Sequence, residues 1–327
     1  MATIKDIAKK ANVAVSTVSY VLNNKKKVKP ETKERILRVM KECNYQPRTA
    51  ARSLKTKQTL TIGVMLPDIT NLFFTEIIRG IEDTANEYGY NIILCNTDRD
   101  SKKELAYLNT LYSKDIDGII FVGPCLNQSI IRNKQDTPIV SINSRYGDLI
   151  SSISVDFVKG GYLATKHLME RKNTEVIFLS GPLNVSTTNE RFTGYINALR
   201  SEGFEYNELL AYQCEISFQG GYNIIESVYS KITGGIKSIF ATSDVIALGA
   251  MRALIEKGIK IPEDVSIVGY DDISMASMYM PSLTTIRQPK YMMGQIVVKL
   301  LMKKIAEDSS ENEVITLEPE LIIRESS

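Results

Sequence analysis

The chain has 327 residues, of which 43% are hydrophobic and 24% charged, with a formal net charge of +2. This composition excludes a disordered chain and is sufficient to bury the cores of two or three domains. No apolar signal segment opens the sequence, no later run approaches the roughly 18 apolar residues of a membrane span, and four scattered cysteines fit a reducing compartment. We therefore expect a cytoplasmic protein with no membrane partner.

The small net charge hides a strong asymmetry along the chain. Residues 1–60 carry 15 Lys and Arg against 4 Asp and Glu, whereas residues 61–327 carry 25 against 34. A basic segment joined to an acidic body is the distribution expected when one end of a protein binds a polyanion. A solvated lysine-rich tail would share this charge, but it would lack the regular apolar positions that the segment has.

The basic segment contains three predicted helices. Thr3 and Asp6 fit a capping box, and Asn12 tolerates the left-handed conformation that a tight exit from the first helix demands. The second helix is predicted from about Val15 to Leu22, and the third begins at Pro30, a favoured first-turn residue. The inward positions of the three helices are Ile4, Ile7, Ala8, Ala11, Val18, Val21, Leu22, Ile36, Val39, Met40 and Cys43. Three such helices can bury one small core.

The second helix carries small polar residues on its outer face. A helix, a tight turn and a helix that begins with such residues form a helix-turn-helix, whose second helix lies in the DNA major groove. Short side chains at Ser16 and Thr17 allow a close approach to DNA, whereas Tyr20 can reach base edges or phosphates. The lysines within residues 25–29 supply sequence-independent attraction to phosphates. An ordinary solvent-facing helix is the alternative interpretation.

Residues 48–55 follow these helices and could form two helical turns. Isolated helices shorter than roughly 12 residues are marginal in water, so this segment should be disordered on its own. Leu54 lies close to the basic residues Arg52 and Lys55. An exposed leucine in that setting is less typical of a flexible linker, which is the alternative interpretation.

From about residue 58, short apolar runs alternate with helical stretches. The runs are LTIGVML, YNIILCN, DGIIFVG, PIVSI, EVIFLSG, KSIFATS and VSIVGYDD. One helix is predicted at 74–89, with Tyr88 on its apolar face, and another at 243–257, closed by Gly258. Short buried strands separated by amphipathic helices indicate parallel α/β sheets, and a break near residue 158 divides them into two lobes.

The residues that follow the predicted strands are candidates for a binding site, because ligands of open α/β sheets bind beyond the carboxyl ends of the strands. Carboxylates, amides and aromatic faces at these positions suit a polyhydroxylated ligand, whose hydroxyls need polar partners and whose C–H faces stack on rings. The candidates are Asp68, Asn71, Phe73, Asn143, Ser243, Asp244 and Asp271. Phe73 and Asn143 could equally pack or cap, and Asp244 could serve the first turn of its helix.

Motifs for catalysis and for cofactor binding are absent from the sequence. No G-x-G-x-x-G or P-loop stands between a predicted strand and helix, and there is no G-x-S-x-G, H-E-x-x-H or clustered Cys/His site. The only histidine, His167, lies in a predicted helix without a partner triad. We therefore expect a protein that is not an enzyme and that needs no metal or other cofactor.

Three long stretches resemble the LacI/GalR family of bacterial transcription regulators, in the order of that family and across essentially the whole chain. They are TIKDIAKKANVAVSTVSYVLNN, NYQPRTAARSLKTKQTLTIGVMLPDITNLFF and IVGYDDISMASMYMPSLTTIRQPKYMMGQ. The resemblance implies a helix-turn-helix domain at 1–57, with the motif at about 4–23 and a hinge helix at about 48–55. It also implies a periplasmic-binding-protein-like body at 58–327 that binds an effector and forms a dimer. The lobes of the body are expected at about 58–158 plus 288–318, and at 159–287 plus 319–327.

The resemblance also assigns residues to sites. Two hinges, one from each subunit, are expected to fold together on DNA and to insert Leu54 into the minor groove. The expected DNA contacts are Thr3, Val15, Ser16, Thr17, Ser19, Tyr20, Asn23, Lys29, Ala51, Leu54 and Lys55. Arg191 joins Asp271 as a residue that grips the effector. This chain departs from the family at Ala14, where serine is frequent, and at Tyr20, where arginine or histidine is common.

Together these features predict a homodimeric repressor that binds a pseudo-palindromic operator in double-stranded DNA and responds to a small effector, a sugar or sugar derivative. A regulator of the same family that responds to a purine or to a phosphoprotein is one alternative. A solute-binding receptor without a DNA function is another, but the basic domain would then be superfluous. An enzyme fused to a DNA-binding domain would need a catalytic constellation that the sequence lacks.

Overall fold

The computed structural model describes residues 2–22, 28–45, 58–123, 137–144, 149–170, 175–306 and 311–327. They form two compact units that divide between residues 59 and 60. The described part of the N-terminal unit is helical, whereas the larger unit contains two six-stranded sheets.

The described residues of the N-terminal unit form α1 (Ile4–Lys10), α2 (Val15–Leu22) and α3 (Pro30–Glu42). The predicted capping box is present, because Asp6 N donates to Thr3 Oγ1 and Thr3 N donates to Asp6 Oδ2 at 2.8 Å. Asn12 adopts the predicted left-handed conformation, with φ 50°. The helices enclose a core formed by Ile7, Ala8, Ala11, Val18, Val21 and Ile36. The three predicted helices are therefore confirmed, with the inner face of α2 packed into this core.

The larger unit is built on two sheets with the same strand pattern. The first contains β1 (Thr61–Leu66), β2 (Asn91–Asn96), β3 (Gly118–Val122), β4 (Ile139–Ile142), β5 (Ser151–Val155) and β11 (Val314–Leu317), in the order β11-β5-β4-β3-β1-β2. The second contains β6 (Ile177–Ser180), β7 (Ala211–Gln213), β8 (Ser238–Ala241), β9 (Ser266–Asp271), β10 (Thr284–Arg287) and β12 (Glu320–Ile322), in the order β12-β10-β9-β8-β6-β7. The described pairs are parallel except β10 with β12. Parallel α/β sheets are therefore confirmed.

Helices cover the faces of these sheets. They are α4 (Leu72–Glu87), α5 (Ser101–Ser113), α6 (Phe157–Glu170), α7 (Ser186–Ser201), α8 (Phe218–Thr233), α9 (Asp244–Glu256), α10 (Ser274–Met278) and α11 (Lys290–Ala306). We call the first sheet with α4, α5 and α11 the first lobe, and the second sheet with α6 to α9 the second lobe. Within the described residues, the chain passes between the two sheets after β5, after β10 and after β11.

Two helix predictions need correction at their ends. The helix predicted at 74–89 is α4, which begins two residues earlier because Asn71 Oδ1 accepts a 3.0 Å hydrogen bond from Phe73 N. It also ends before Tyr88, which is 50% exposed and does not belong to the buried face. The helix predicted at 243–257 is α9, and Gly258 follows it with the left-handed φ of 77° that favours glycine.

Glycines allow α6 and α7 to pack at very short range. A Cβ added to Gly161 would lie 2.2 Å from the carbonyl oxygen of Arg191, and one added to Gly194 would lie 2.1 Å from that of Val158. Only glycine permits this approach, which places Arg191 on α7 beside the first turn of α6. No helix in the described part of the chain combines the length and apolar character needed to cross a membrane.

Candidate functional site

The carboxyl ends of strands from both sheets border one cavity of about 150 Å³. Its lining from the first lobe includes Asn71, Phe73, Thr97, Arg99, Gly123 and Asn143. Its lining from the second lobe includes Phe157, Val185, Thr188, Arg191, Ile216, Thr242, Ser243 and Asp271. These residues follow strands or begin helices, so the parallel topology of the two sheets is what brings them together.

Arg191 is held on one side of the cavity by stacking and hydrogen bonding. Its guanidinium carbon lies 4.9 Å from the ring centre of Phe157 and 3.9 Å from that of Tyr270. Its NH1 group donates to the carbonyl oxygen of Thr242 at 2.5 Å, and its NH2 group lies 3.7 Å from Asp271 Oδ1. Its Nε is buried with no hydrogen-bond partner among the described residues. The guanidinium is thus fixed in place and retains a free donor.

Asp271 ends β9 in a backbone conformation that is rare outside glycine, with φ 114°. Its Oδ1 accepts a 2.7 Å hydrogen bond from Gln288 Nε2, and its carbonyl oxygen accepts one of 2.7 Å from Lys290 Nζ. Burial raises the pKa of the carboxyl to about 6, although Arg191, Lys290 and Gln288 all favour its ionised form. A carboxylate held in a cavity in this way can accept hydrogen bonds from a ligand's hydroxyl groups.

The residues after Asp271 fix its position. Lys290, which is 3% exposed, donates to the carbonyl oxygens of Asp271 and Asp272 and lies 3.3 Å from Glu76 of the first lobe. Asp272 accepts hydrogen bonds from Arg287 at 2.7 Å and from Arg324 at 2.5 Å. Burial alone would raise the pKa of Asp272, but these two hydrogen bonds outweigh it and hold the pKa below its usual range.

Besides Arg99, the first lobe contributes neutral groups whose positions are set by local structure. Asn71 lines the cavity and caps α4 through its side-chain oxygen. Asn143 follows β4 in the left-handed conformation, with φ 58°, and its Oδ1 is buried without a partner among the described residues. Phe73 packs edge-on against Phe74, with ring centres 5.1 Å apart. Ser243 Oγ, opposite them in the second lobe, is also buried with no partner in the described part of the chain.

Six of the eight predicted effector residues line the cavity, namely Asn71, Phe73, Asn143, Arg191, Ser243 and Asp271. The structure does not bring Asp68 and Asp244 to it. Asp68 Oδ1 accepts hydrogen bonds from the backbone and side chain of Thr70, at 2.9 and 2.6 Å. Asp244 is fully buried, and its carboxyl accepts from Ile273 N at 2.8 Å and from Thr285 Oγ1 at 2.5 Å. Burial and the nearby Asp271 raise the pKa of Asp244 well above its usual range.

Sequence reasoning missed several residues of the lining. Thr97 and Arg99 directly follow β2, so the rule that selected the other candidates applied to them as well. Phe157 begins α6 after a strand that was not predicted. Val185 and Ile216 were not missed, because the resemblance to the family puts them where some members place pocket side chains, and both line the cavity.

The predicted DNA contacts of the N-terminal unit divide into three groups. Exposed residues are Val15, Ser16, Tyr20 and Lys29, and half-buried ones are Thr17 and Ser19. The Thr3 hydroxyl donates a 2.8 Å hydrogen bond to Asp6 Oδ2, so this side chain takes part in the N-terminal cap of α1. Asn23, Ala51, Leu54 and Lys55, together with the predicted hinge helix, lie outside the described residues.

Among the described residues, no group of three or more His, Cys, Asp or Glu side chains is placed to hold a metal ion. The groups that the cavity offers are a guanidinium, a carboxylate, amides, hydroxyls and aromatic rings. This set can bind a polar organic molecule through hydrogen bonds and stacking.

Two family models cover almost the whole chain. The model for "Periplasmic binding proteins and sugar binding domain of LacI family" matches residues 59–325. The model for "Bacterial regulatory proteins, lacI family" matches residues 3–48.

Two curated relatives match along their full length. The HTH-type transcriptional regulator RegA of Clostridium saccharobutylicum is 39% identical over 332 residues, which covers 100% of both chains. The HTH-type transcriptional repressor PurR of Pasteurella multocida is 36% identical over 333 residues, which covers 100% of this chain and 98% of that protein. Both relatives are transcriptional regulators and neither is named as an enzyme.

Two solved structures show the same architecture. A LacI family transcriptional regulator from Enterococcus faecium with bound ribose is 34% identical, with a TM-score of 0.75, over 82% of this chain and 98% of that one. The Lac repressor dimer bound to operator and the anti-inducer ONPF is 26% identical, with a TM-score of 0.90, over 99% and 98% of the two chains. The matches to both family models and to full-length relatives show that this chain belongs to the LacI family of DNA-binding, effector-controlled bacterial transcription regulators.

Proposed function

We propose that the protein is a homodimeric repressor whose affinity for a pseudo-palindromic operator is set by a sugar or sugar derivative bound in the cavity. Residues 1–57 bind DNA in the cytoplasm, and residues 58–327 bind the effector and form the dimer. The observation that carries the proposal is that Arg191 and Asp271, with side chains only 12% and 9% exposed, border the same cavity. The protein acts by binding and is not expected to convert its effector.

Unpaired buried groups make a polyhydroxylated effector the best match to the cavity. Arg191 Nε, Asn143 Oδ1 and Ser243 Oγ have no hydrogen-bond partner among the described residues. A buried polar group without a partner costs about 1–3 kcal/mol, so a ligand whose hydroxyls satisfy these atoms is favoured. Phe73 and Phe157 add aromatic surface for the C–H faces of a sugar ring.

The size of the cavity favours a small effector. About 150 Å³ gives room for about ten water-sized positions. A monosaccharide fits within a space of that order. The Enterococcus faecium regulator with bound ribose, which is 34% identical, supports a monosaccharide-sized effector.

A purine is the second candidate, because the PurR relative is 36% identical over the whole chain. The side chains of Val185 and Ile216 line the second-lobe side of the cavity. These aliphatic groups supply neither aromatic stacking nor hydrogen bonds to a planar base. The sugar proposal takes precedence because Val185 and Ile216 offer a base no polar contact on this side of the cavity, and because the regulator with bound ribose supports a sugar.

Dimerisation is supported by apolar side chains on the surface of the body. Met278 and Met280 are 74% and 87% exposed, in a short segment that follows β9. Adjacent exposed methionines form an adaptable apolar surface of the kind that a second subunit covers. A two-fold dimer presents two copies of α2 to the two half-sites of a palindrome.

Selection of binding sites from random duplex DNA, followed by titration of the selected operator with sugars and purines at fixed salt, tests the proposal. We expect one palindromic sequence to be preferred, and a subset of sugars to change operator affinity about 5- to 150-fold. Tyr20→Ala should weaken operator binding about tenfold without changing effector affinity, because it removes a contact to bases or phosphates. Tyr88→Ala, which truncates a tyrosine of the body that is 50% exposed against 42% for Tyr20, is the control. A protein that prefers no sequence over random duplex contradicts the proposal.

A further inference from the structure

Arg99 is an exposed cation at the edge of the cavity. It follows β2 and lines the cavity, although more than a third of its surface is open to solvent. Arg99 and the preceding Asp98 both adopt the left-handed conformation, with φ 55° and 53°. Two successive non-glycine residues in this conformation are unusual and are found where a local structure has a specific task.

The acidic neighbours of Arg99 are already engaged. Asp98 pairs with Lys103 and accepts a 2.5 Å hydrogen bond from Asn96 Nδ2. Asp100 caps α5 by accepting a 2.7 Å hydrogen bond from Lys102 N. Within the described part of the chain, Arg99 itself makes no hydrogen bond or ion pair. Its guanidinium is therefore available to a ligand.

The rest of the cavity reinforces a positive potential. The helices α4, α6, α7 and α9 each place residues of their first turn or N-cap in the lining, and the N-terminal end of a helix carries partial positive charge. Val185 and Ser243 cap α7 and α9 without a side-chain hydrogen bond. Ser243 is 4% exposed, and its hydroxyl points into the lining with no partner among the described residues. Asp271, the lining carboxylate in the described ranges, already faces two cations.

We propose, on the basis of the effector site proposed above, that the effector is an anionic sugar derivative and that Arg99 binds its phosphate or carboxylate. The enclosed part of the cavity, with Arg191, Asp271 and Asn143, binds the neutral hydroxyls of the sugar body. The anionic group lies at the edge, where it keeps part of its hydration and pairs with a guanidinium suited to phosphate and carboxylate geometry.

Isothermal titration calorimetry on the full-length protein with matched ligands tests this inference. The probes are ribose with ribose 5-phosphate, glucose with glucose 6-phosphate and with gluconate, and inorganic phosphate alone. We expect at least one anionic member to bind about tenfold or more tightly than its neutral counterpart, as for a hydrogen bond to a charged group. Comparison of the two sugar phosphates with gluconate identifies whether a phosphate ester or a carboxylate is recognised. Inorganic phosphate should bind far more weakly than the sugar derivative, because it lacks the hydroxyls that fill the enclosed part.

Arg99→Gln should abolish the preference for the anionic ligand, so that the neutral and anionic members of each pair bind with equal affinity. Lys102 lies three residues after Arg99 and does not line the cavity. Lys102→Gln removes the same charge as Arg99→Gln and should keep the preference for the anionic ligand. The preference should also shrink as salt is raised, because Arg99 is exposed. Equal affinity for neutral and anionic sugars, or an intact preference in Arg99→Gln, overturns this inference alone. Binding of neither series overturns it together with the proposed effector site.

Discussion

The two lobes contribute different kinds of side chain to the same cavity. The second lobe supplies Arg191 and Asp271, which are charged, almost fully buried and held by stacking, by Thr242 and by Gln288. Apart from Arg99 at the edge of the cavity, the first lobe supplies neutral groups, Asn71 and Asn143, whose positions follow from a helix cap and from a left-handed turn. The comparison indicates that the second lobe provides most of the affinity for the neutral sugar body, whereas the first lobe selects among effectors.

Asp271→Asn should produce the largest loss of effector binding. Asparagine tolerates an unusual backbone conformation better than alanine and keeps the shape of the side chain, so the change removes charge with little strain at φ 114°. A hydrogen bond from a ligand hydroxyl to a charged group contributes about 1.5–3 kcal/mol, so its loss corresponds to about a 10- to 150-fold loss in affinity. Calorimetry with the best sugar measures the loss, and operator binding without effector should be unchanged.

The thermal stability of Asp271→Asn is the control for this result. The raised pKa of Asp271, about 6, shows that its ionised form is disfavoured in the folded state. A neutral isostere should therefore not lower Tm at pH 7.5. If effector binding survives in Asp271→Asn with unchanged affinity, the second lobe does not dominate and the comparison fails.

The pH dependence of effector binding tests the same comparison between the lobes. The change in affinity with pH should be smaller than the loss caused by Asp271→Asn. The charged and titratable groups around Asp271 are Arg191, Lys290, Asp244 and Asp272. Because the folded pKa of Asp271, about 6, lies above its ordinary value, its contribution to the free energy of unfolding decreases as pH rises towards 6 and is lowest above that pH. Effector hydroxyls bind the ionised carboxylate, so affinity should instead increase over this window. Between pH 7.5 and pH 5 we expect a loss of about tenfold.

Calorimetry at several pH values measures this effect, and Asp271→Asn supplies the matched control. The variant should show a flat profile over the same range, because no carboxyl remains to titrate at that position. A profile in Asp271→Asn as steep as that of the natural protein would assign the titration to another group.

The strands that could be predicted from the sequence are those whose apolar residues run continuously. β9 and β1 are fully or almost fully buried along their length and match the runs VSIVGYDD and LTIGVML. β5 escaped prediction because Ser151, Ser152 and Ser154 give it a polar composition, although each is at most 2% exposed. Burial of serine in a central strand depends on neighbours from distant parts of the chain, so local composition does not reveal it.

The site shows the same limit. The rule that ligands bind beyond the carboxyl ends of strands reached Asn143 and Asp271, which line the cavity. It also selected Asp68 and Asp244, but the carboxyls of these two residues accept hydrogen bonds from backbone groups and do not line the cavity. A polar side chain at a strand end can face the cavity or accept a hydrogen bond from a backbone N–H group. Which of the two occurs depends on a few backbone dihedral angles that the sequence does not reveal. The resemblance to the family, and not the strand rule, located Arg191.

Asn143→Gly should have the smallest effect on affinity of the changes considered. Its effect should differ from one sugar to another, so that selectivity changes more than the mean affinity. Glycine accepts the left-handed φ of 58° at no cost, so only the amide is lost. Removing one neutral hydrogen bond costs about 1 kcal/mol, which is about a fivefold loss for ligands that use it. Affinities for ribose, glucose and galactose, measured side by side, should change unequally, because only some place a hydroxyl near Asn143. A uniform loss as large as that of Asp271→Asn would show that the first lobe contributes to affinity as strongly as the second, and the division of roles between the lobes would have to be abandoned.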